Sequence, residues 1–292
     1  MLLDLTANNK GGHFDYFSKW SKSLESNIID SKKLLLQNFF KILETDRLII
    51  PSADIFDRHF LVYFIIVTLR YFLGKNQNFF IIHSIRRLKL FSFISPRKSA
   101  KYFSFSSGIT DEISKYGFDS NKVLFPNVKE FDIESEILNL QFDEYLVIWG
   151  RSAREINSAQ IDFLSKSQFN FIIINSNLKN EGHDNIAFIN TQDIKEQKFI
   201  LQNSLACVII LSENSQEYFK KSYAASGILI TNVYLNIFSY VVGNIPSHEN
   251  EYNDFCLFLP ESVTIQEIDQ KILETNIPKR FNTKFNLIEE FL

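Results

Sequence analysis

Short apolar runs rich in Val, Ile and Phe alternate with amphipathic stretches along most of the chain, and this alternation constrains the fold more than any other feature. Leu2–Leu5, Leu48–Ile50, Phe79–His83, Tyr102–Phe105 and Val123–Phe125 read as strands. After a break come Tyr145–Trp149, Phe169–Ile174, Ala187–Ile189, Cys207–Leu211 and Ile228–Thr231. Helical periodicity lies between them, over His13–Leu24, Phe56–Leu73, Asp111–Tyr116, Ser158–Lys166, Thr191–Leu201 and Ser215–Ala225. A strand that is apolar on both faces needs cover on both, so the pattern predicts parallel sheets with helices on each side.

The break, "PNVKEFDIESEILNLQFDE" (Pro126–Glu144), is acidic and lacks a long apolar strand. It reads as an interdomain connection. The expected organisation is a first α/β domain over 1–130, a linker over 131–144, a second α/β domain over 145–262 and an outer helical tail over 263–292. A length of 292 residues accommodates two ordinary domains or one large one. With 45% hydrophobic and 22% charged residues, the chain is of the folded, globular class.

Several function classes are disfavoured at once. Two cysteines, Cys207 and Cys256, form neither a disulfide framework nor a metal-ligand spacing, which favours a reducing, cytoplasmic setting. The opening "MLLDLTANNKGGHFDYF" has no basic flank leading into a long apolar core, so no signal peptide is expected. The longest apolar run, Phe60–Leu69, would rise only ~15 Å as a helix, about half of a bilayer core. It reads as a buried helix.

The net charge of −3 conceals an asymmetry. Met1–Pro126 carries 18 Lys and Arg against 11 Asp and Glu, whereas the remainder is acidic. Arg58–Thr110 contains no acidic residue and nine basic ones, interleaved with nine Phe and three Tyr, as in "IRRLKLFSFISPRK". Such a run suits an anionic surface. Anionic lipid and single-stranded nucleic acid both accept that interleaving, and the acidic balance of the whole chain favours the former. The structural alternative places the aromatics in the core and scatters the cations over the surface.

In open parallel sheets, ligands collect at the carboxyl ends of strands. Ser212-Glu213 stands there after "CVIIL", and a helix starting near Ser215 would aim free amides at the same place. A carboxylate at that point suits sugar or ribose hydroxyls; alternatively, Ser212 or Ser215 simply caps the helix. Gly150-Arg151 follows "YLVIW", where glycine admits a ligand to the backbone and arginine can clamp a diphosphate, with Arg154 one turn on. A turn followed by a solvated arginine is the plainer reading. In the first half, "NNKGGHF" brings Gly11, Gly12 and His13 to a strand-to-helix turn, while Asp54 and His83 stand at strand ends and are the candidates for catalysis. No G-x-G-x-x-G or Walker A pattern follows a strand, and no nucleophile elbow occurs. The five His are too scattered for a zinc site, so no metal is expected.

The order of these features resembles the GT-B glycosyltransferases, in particular the retaining nucleotide-sugar group with a Glu, seven residues, Glu pattern. "GGHFDYFSKWSKSL" resembles that family's glycine loop, and "YFSFSSGITDEISKYGFDSNKVLFPNV" resembles the end of its first domain. "YLVIWGR" resembles the opening of the donor domain, and "SYAASGILITN" its helix-to-strand segment. Counting five residues back from Gly227 reaches Ser222 where the family has its second glutamate; the first would fall at Asn214, beside Glu213. The resemblance implies two Rossmann-like domains facing each other across a cleft. It implies donor contacts at Gly12, Arg151, Arg154, Ser212, Glu213, Ser226 and Gly227, with Gly11 and His13 on the acceptor side. The implied activity is transfer of a sugar from a nucleotide diphosphate to a glycan or lipid-linked acceptor, without metal or further cofactor, by a cytoplasmic protein docking on an anionic membrane through Arg58–Lys101. The alternative is a non-catalytic GT-B subunit that binds or activates a partner transferase.

Overall fold

The computed structural model describes residues 1–3, 5, 28–54, 60–85, 100–104, 106–122, 134, 137–178, 182–222, 226–243 and 254–275. The chain divides into two compact units, one built chiefly on Met1–Asn127 and the other on Val128–Glu217 and Ser226–Lys284. Each holds a six-stranded sheet in which every described pair is parallel.

In the first unit the strands are β1 (Leu2–Leu3), β2 (Ile28–Ile29), β3 (Arg47–Asp54), β4 (Gln77–Ser84), β5 (Lys101–Ser104) and β6 (Ser120–Lys122), in the order β2-β1-β3-β4-β5-β6. Strand alternation sends Leu3, Leu48, Ile50, Phe80, Ile82 and Tyr102 into one layer. There they meet Ile42, Tyr63, Ile66, Val67, Ile109 and Ile113 from the helices Phe39–Glu44, Phe60–Phe72 and Ser107–Ser114. Phe80 stacks on Tyr102 at 5.5 Å between ring centroids, and the Leu5 amide donates to the Tyr63 hydroxyl at 2.7 Å.

Arg70 is fully buried among these apolar residues. It survives there because the carbonyls ending the helix Phe39–Glu44 converge on its guanidinium. Nη1 donates to the Ile42 carbonyl and to that of Thr45 (2.8 Å), while Nε donates to Asn78 Oδ1 (2.5 Å). Burial nevertheless pushes its pKa down to about 10, against a smaller upward pull from Asp46.

The second unit contains β7 (Leu146–Ile148), β8 (Phe171–Ile174), β9 (Ile186–Ile189), β10 (Ala206–Ile210), β11 (Ser239–Val242) and β12 (Cys256–Leu259), in the order β12-β11-β10-β7-β8-β9. Its sheet is apolar on both faces, as the sequence predicts. Leu146, Ile148, Phe171, Ile173, Val208 and Ile210 enter one core layer; Val147, Ile172, Ile174, Cys207 and Ile209 enter the other. Complete burial of one such side chain contributes roughly 2–3 kcal/mol. The segment after β12 opens the helix Ile265–Glu274 with a capping box, Thr264 with Glu267, and pins it through Asp269, which accepts from Ser167 Oγ at 2.6 Å and the Gln168 amide at 2.9 Å.

One expectation changes. Ile228–Thr231 is not a strand: Gly227–Tyr234 is a helix, capped by Ser226 and burying Leu229, Ile230 and Val233. A short β-branched run does not distinguish a strand from a buried helical turn; the serine cap and the spacing of the buried residues do. The strand follows later, as β11, after Asn236 in the left-handed region (φ 59°). In the first unit the last described strand lies at Ser120–Lys122; the expected Val123–Phe125 and the helix His13–Leu24 lie outside the described residues. β2, β11 and β12, and the helices Lys32–Gln37 and Phe39–Glu44, are additions to the expected set. No helix among the described residues is long and apolar enough to cross a membrane.

Candidate functional site

In the second sheet the strand order reverses between β7 and β10, and a crevice opens outside the carboxyl ends of adjacent strands at such a reversal. The elements there are tied together by side chains. β7 runs through Trp149 into Gly150, whose φ of +64° is costly for any other residue. A Cβ at that point would also lie 3.0 Å from Ile228 Cγ1, so the glycine lets the turn pack on the helix Gly227–Tyr234. Trp149 Nε1 donates to Oδ1 of the buried Asn232 at 3.0 Å, and Asn232 donates onward to Ser239 Oγ at 2.8 Å.

Gly150 opens the short helix Gly150–Glu155. Buried Ser152 bridges it to β10 by donating to the Ile210 carbonyl (3.0 Å) and accepting from the Ile210 amide (2.9 Å). That bridge places Glu155 beside the start of the helix Glu213–Ser222. The Glu155 carboxylate accepts from Ser212 Oγ at 2.7 Å, from Ser215 Oγ at 2.6 Å and from Arg151 Nε one turn earlier. Burial acts to raise the Glu155 pKa, but the hydrogen bonds from Ser215, Arg151 and Ser212, with the arginine charge, outweigh it and hold the carboxyl below its ordinary value. A negative charge at this helix start is also favoured by the helix dipole.

The sequence-derived candidates take up these places. Arg151 is the ion-pair partner of Glu155. Arg154 is exposed, and its carbonyl accepts from Asn177 Nδ2 at 2.9 Å. Ser212 caps the helix, accepting from the Ser215 amide at 3.2 Å, and Glu213 is exposed at its first residue. Ser226 caps the helix Gly227–Tyr234, accepting from the Leu229 amide at 3.4 Å; Gly227 begins that helix, and a Cβ there would meet nothing within 4 Å. Asp54 ends β3, and its backbone pairs with Ser84, next to His83 in β4, so both stand at the carboxyl ends of neighbouring strands. Gly11, Gly12 and His13 lie outside the described residues. The structure thus brings Arg151, Ser212 and Glu213 to one strand-end region of the second unit.

Glu155 and Asn232 are missing from the sequence-derived set. Half of the Glu155 signal was present, since Arg151 and Glu155 are four apart on one helix; its partnership with Ser212 and Ser215 depends on the β7–β10 pairing. Beside this cluster, a cavity of about 590 Å³ lies against the ends of β10 and β11. Phe163, Ile210, Leu211 and Val242 form apolar walls, while Asn157, Gln160, Glu213 and Glu261 supply polar groups. No group of three or more His, Cys, Asp or Glu among the described residues is placed to hold a metal ion. Cys207 and Cys256 are buried, and burial pushes both thiols up to about 12.

No protein-family profile matches the chain, and no curated protein matches it by sequence. Solved structures do match. The Anabaena protein HepE, solved in complex with UDP, superposes with a TM-score of 0.60 at 10% identity, over 93% of this chain and 88% of HepE. The lipopolysaccharide outer core galactosyltransferase WaaB superposes with a TM-score of 0.56 at 13% identity, over 95% and 90%. A glycosyltransferase from Rickettsia africae gives 0.53 at 11% identity, over 94% and 81%. These neighbours are GT-B glycosyltransferases, and the fold of this chain is theirs: α/β, with two Rossmann-like domains.

Proposed function

We propose that the protein is a glycosyltransferase that moves a sugar from a nucleotide diphosphate sugar to a glycan or lipid-linked acceptor in surface polysaccharide or glycolipid synthesis. The observation that carries this reading is the switch point of the second sheet, where Gly150, Arg151 and the start of the helix Glu213–Ser222 converge at adjacent strand ends. HepE, which has the same fold, is also known in complex with UDP-glucose, and WaaB is a galactosyltransferase.

In this reading the nucleotide lies against the second unit. Arg151 and Arg154 face the diphosphate, Ser226 and Gly227 offer a second helix start, and Glu213 accepts from sugar or ribose hydroxyls. Gly11, Gly12 and His13 serve the donor phosphate and the acceptor, with Asp54 and His83 at strand ends of the first unit. Transfer breaks the bond from the anomeric carbon to the diphosphate oxygen and forms one to the acceptor oxygen, whose proton passes to the departing phosphate. The protein's part is to stabilise that departing charge with donors already in place, without a metal or further cofactor. Losing one such donor costs about 3 kcal/mol of barrier, roughly a hundredfold in rate. The proposed setting is cytoplasmic, at an anionic membrane surface.

A second reading, a non-catalytic GT-B subunit that supports a partner transferase, has its own observation. Arg151 and Ser212 are both engaged by the chain's own Glu155. Moreover, the helix-to-strand turn falls at Asn236, and five residues before it stands Thr231, again not an acid. Calorimetry with UDP, GDP and TDP, followed by turnover assays on the isolated chain, separates the two. Binding, with turnover reduced at least about tenfold by Arg151→Ala or Glu213→Ala, supports the enzyme. Absence of turnover by the isolated chain, with co-purification of an active transferase, supports the subunit, and absence of binding at millimolar nucleotide removes the enzyme reading.

A further inference from the structure

The helix Phe60–Phe72 turns Tyr63, Ile66, Val67 and Arg70 into the core of the first unit. An ordinary surface helix would be polar on the opposite side. Here that side carries Leu61, Ile65, Leu69 and Phe72, at 54%, 48%, 40% and 79% exposure, followed by Leu73 at 59%. Their spacing, four, four and three residues, forms one continuous stripe. No charged residue interrupts it, since Arg70, the one charged residue of the helix, points inward.

We infer that this stripe is a membrane-docking surface that beds into the headgroup region of a bilayer containing anionic lipid. Three observations select that occupant. Thirteen residues of helix extend ~20 Å, short of the ~30 Å hydrocarbon core, so the helix fits in the plane of the interface and not across it. The stripe presents on the order of 500 Å² at about 200 Å² per large side chain, below the ~800 Å² that each partner of a stable protein interface buries. The charge is complementary: the helix lies in the 58–110 run, which has no acidic residue and, besides inward-pointing Arg70 and Lys75, which pairs with Asp46, seven further basic ones. On the helix Lys32–Gln37 of the same unit, exposed Lys32 and Lys33 stand one turn before exposed Leu36, repeating the pairing of cation and apolar side chain.

This assignment deepens the acceptor side of the proposed function, and rests on it only for the use to which docking is put. The test therefore contains no nucleotide or sugar. The full chain is sedimented with vesicles of phosphatidylcholine alone, or mixed equally with phosphatidylglycerol. Binding is expected to the mixed vesicles, weakened by high salt, and to fall at least about tenfold in the triple variant Leu61→Gln, Ile65→Gln, Phe72→Gln. Because those positions are exposed, circular dichroism should be unchanged. Ile65→Trp supplies a second readout, a blue shift of tryptophan emission on adding mixed vesicles. Absence of sedimentation, equal binding by the triple variant, or an unshifted Ile65→Trp emission overturns the inference. So does self-association in analytical ultracentrifugation that the triple variant abolishes without any vesicle binding, which would assign the stripe to a second copy of the chain. Failure with vesicles leaves nucleotide binding untouched, and the reverse holds too.

Discussion

Glu155 shows how much a single side chain can settle. Its carboxylate joins the last turn of one helix to the first turn of another, and buried Ser215 has its hydroxyl satisfied there. Replacing it with glutamine keeps the shape but weakens three charge-assisted hydrogen bonds, an expected loss of about 1 kcal/mol at neutral pH. The sign of the pH dependence follows from the lowered pKa in the folded protein. A carboxyl whose folded pKa is depressed contributes stability above its unfolded value, and that contribution disappears as pH falls through the folded value. Thermal melts of wild type and Glu155→Gln should therefore differ at pH 7 and converge in acid below the ordinary glutamate range. A constant difference across that interval would mean that the side chain acts through packing alone. The two glycines that begin helices divide similarly: Gly150 is required by its backbone angle and by Ile228, whereas Gly227 is under no such demand from the protein.

At the scale of elements, the helix Phe60–Phe72 is held by one buried cation. Arg70 places its guanidinium where the helix Phe39–Glu44 ends, so the same contact stitches two helices and satisfies carbonyls that would otherwise be orphaned. Arg70→Met keeps the stem volume but leaves those carbonyls without donors, and should cost about 3 kcal/mol in chemical denaturation. Arg70→Lys should lie between, because an ammonium cannot reproduce the planar fork. If Arg70→Met proves as stable as wild type, the network is dispensable. The helices Glu213–Ser222 and Gly227–Tyr234 show the complementary lesson: each begins at a serine whose hydroxyl accepts from the third helical amide. Ser212 was legible as a cap or as a ligand, and the structure shows the cap. Ser226 was legible only as a donor contact implied by the resemblance and not as a cap, because Ile228–Thr231 is as apolar and β-branched as a strand.

For the whole molecule, the proposed function predicts that nucleotide acts first on the second unit. Hydrogen exchange with millimolar UDP is expected to slow amides around Gly150–Ser152 and the start of the helix Glu213–Ser222 most strongly. Strongest protection elsewhere would move the proposed donor site from the β7–β10 switch point. The described surface carries a second message in the exposed stripe of Phe60–Phe72, since a helix apolar on both sides satisfies only one of them by packing on its own sheet.

What the amino-acid sequence determined by itself is the class of fold: repeated runs such as "FIII" and "CVII", apolar at every position and alternating with amphipathic helical stretches, make a parallel sheet covered on both faces the arrangement that buries them. It also determined the strand-end positions of Gly150, Arg151, Ser212 and Glu213, because the place where an apolar run stops is written locally. Tertiary structure decided the rest. The order β12-β11-β10-β7-β8-β9 sets β7 beside β10 and so brings Glu155 to Ser212 and Ser215, residues 57 and 60 positions away. It likewise decided that the run after Gly227 coils into a helix, because the free energy of burying Leu229 and Val233 depends on the neighbours they meet and not on their own propensity.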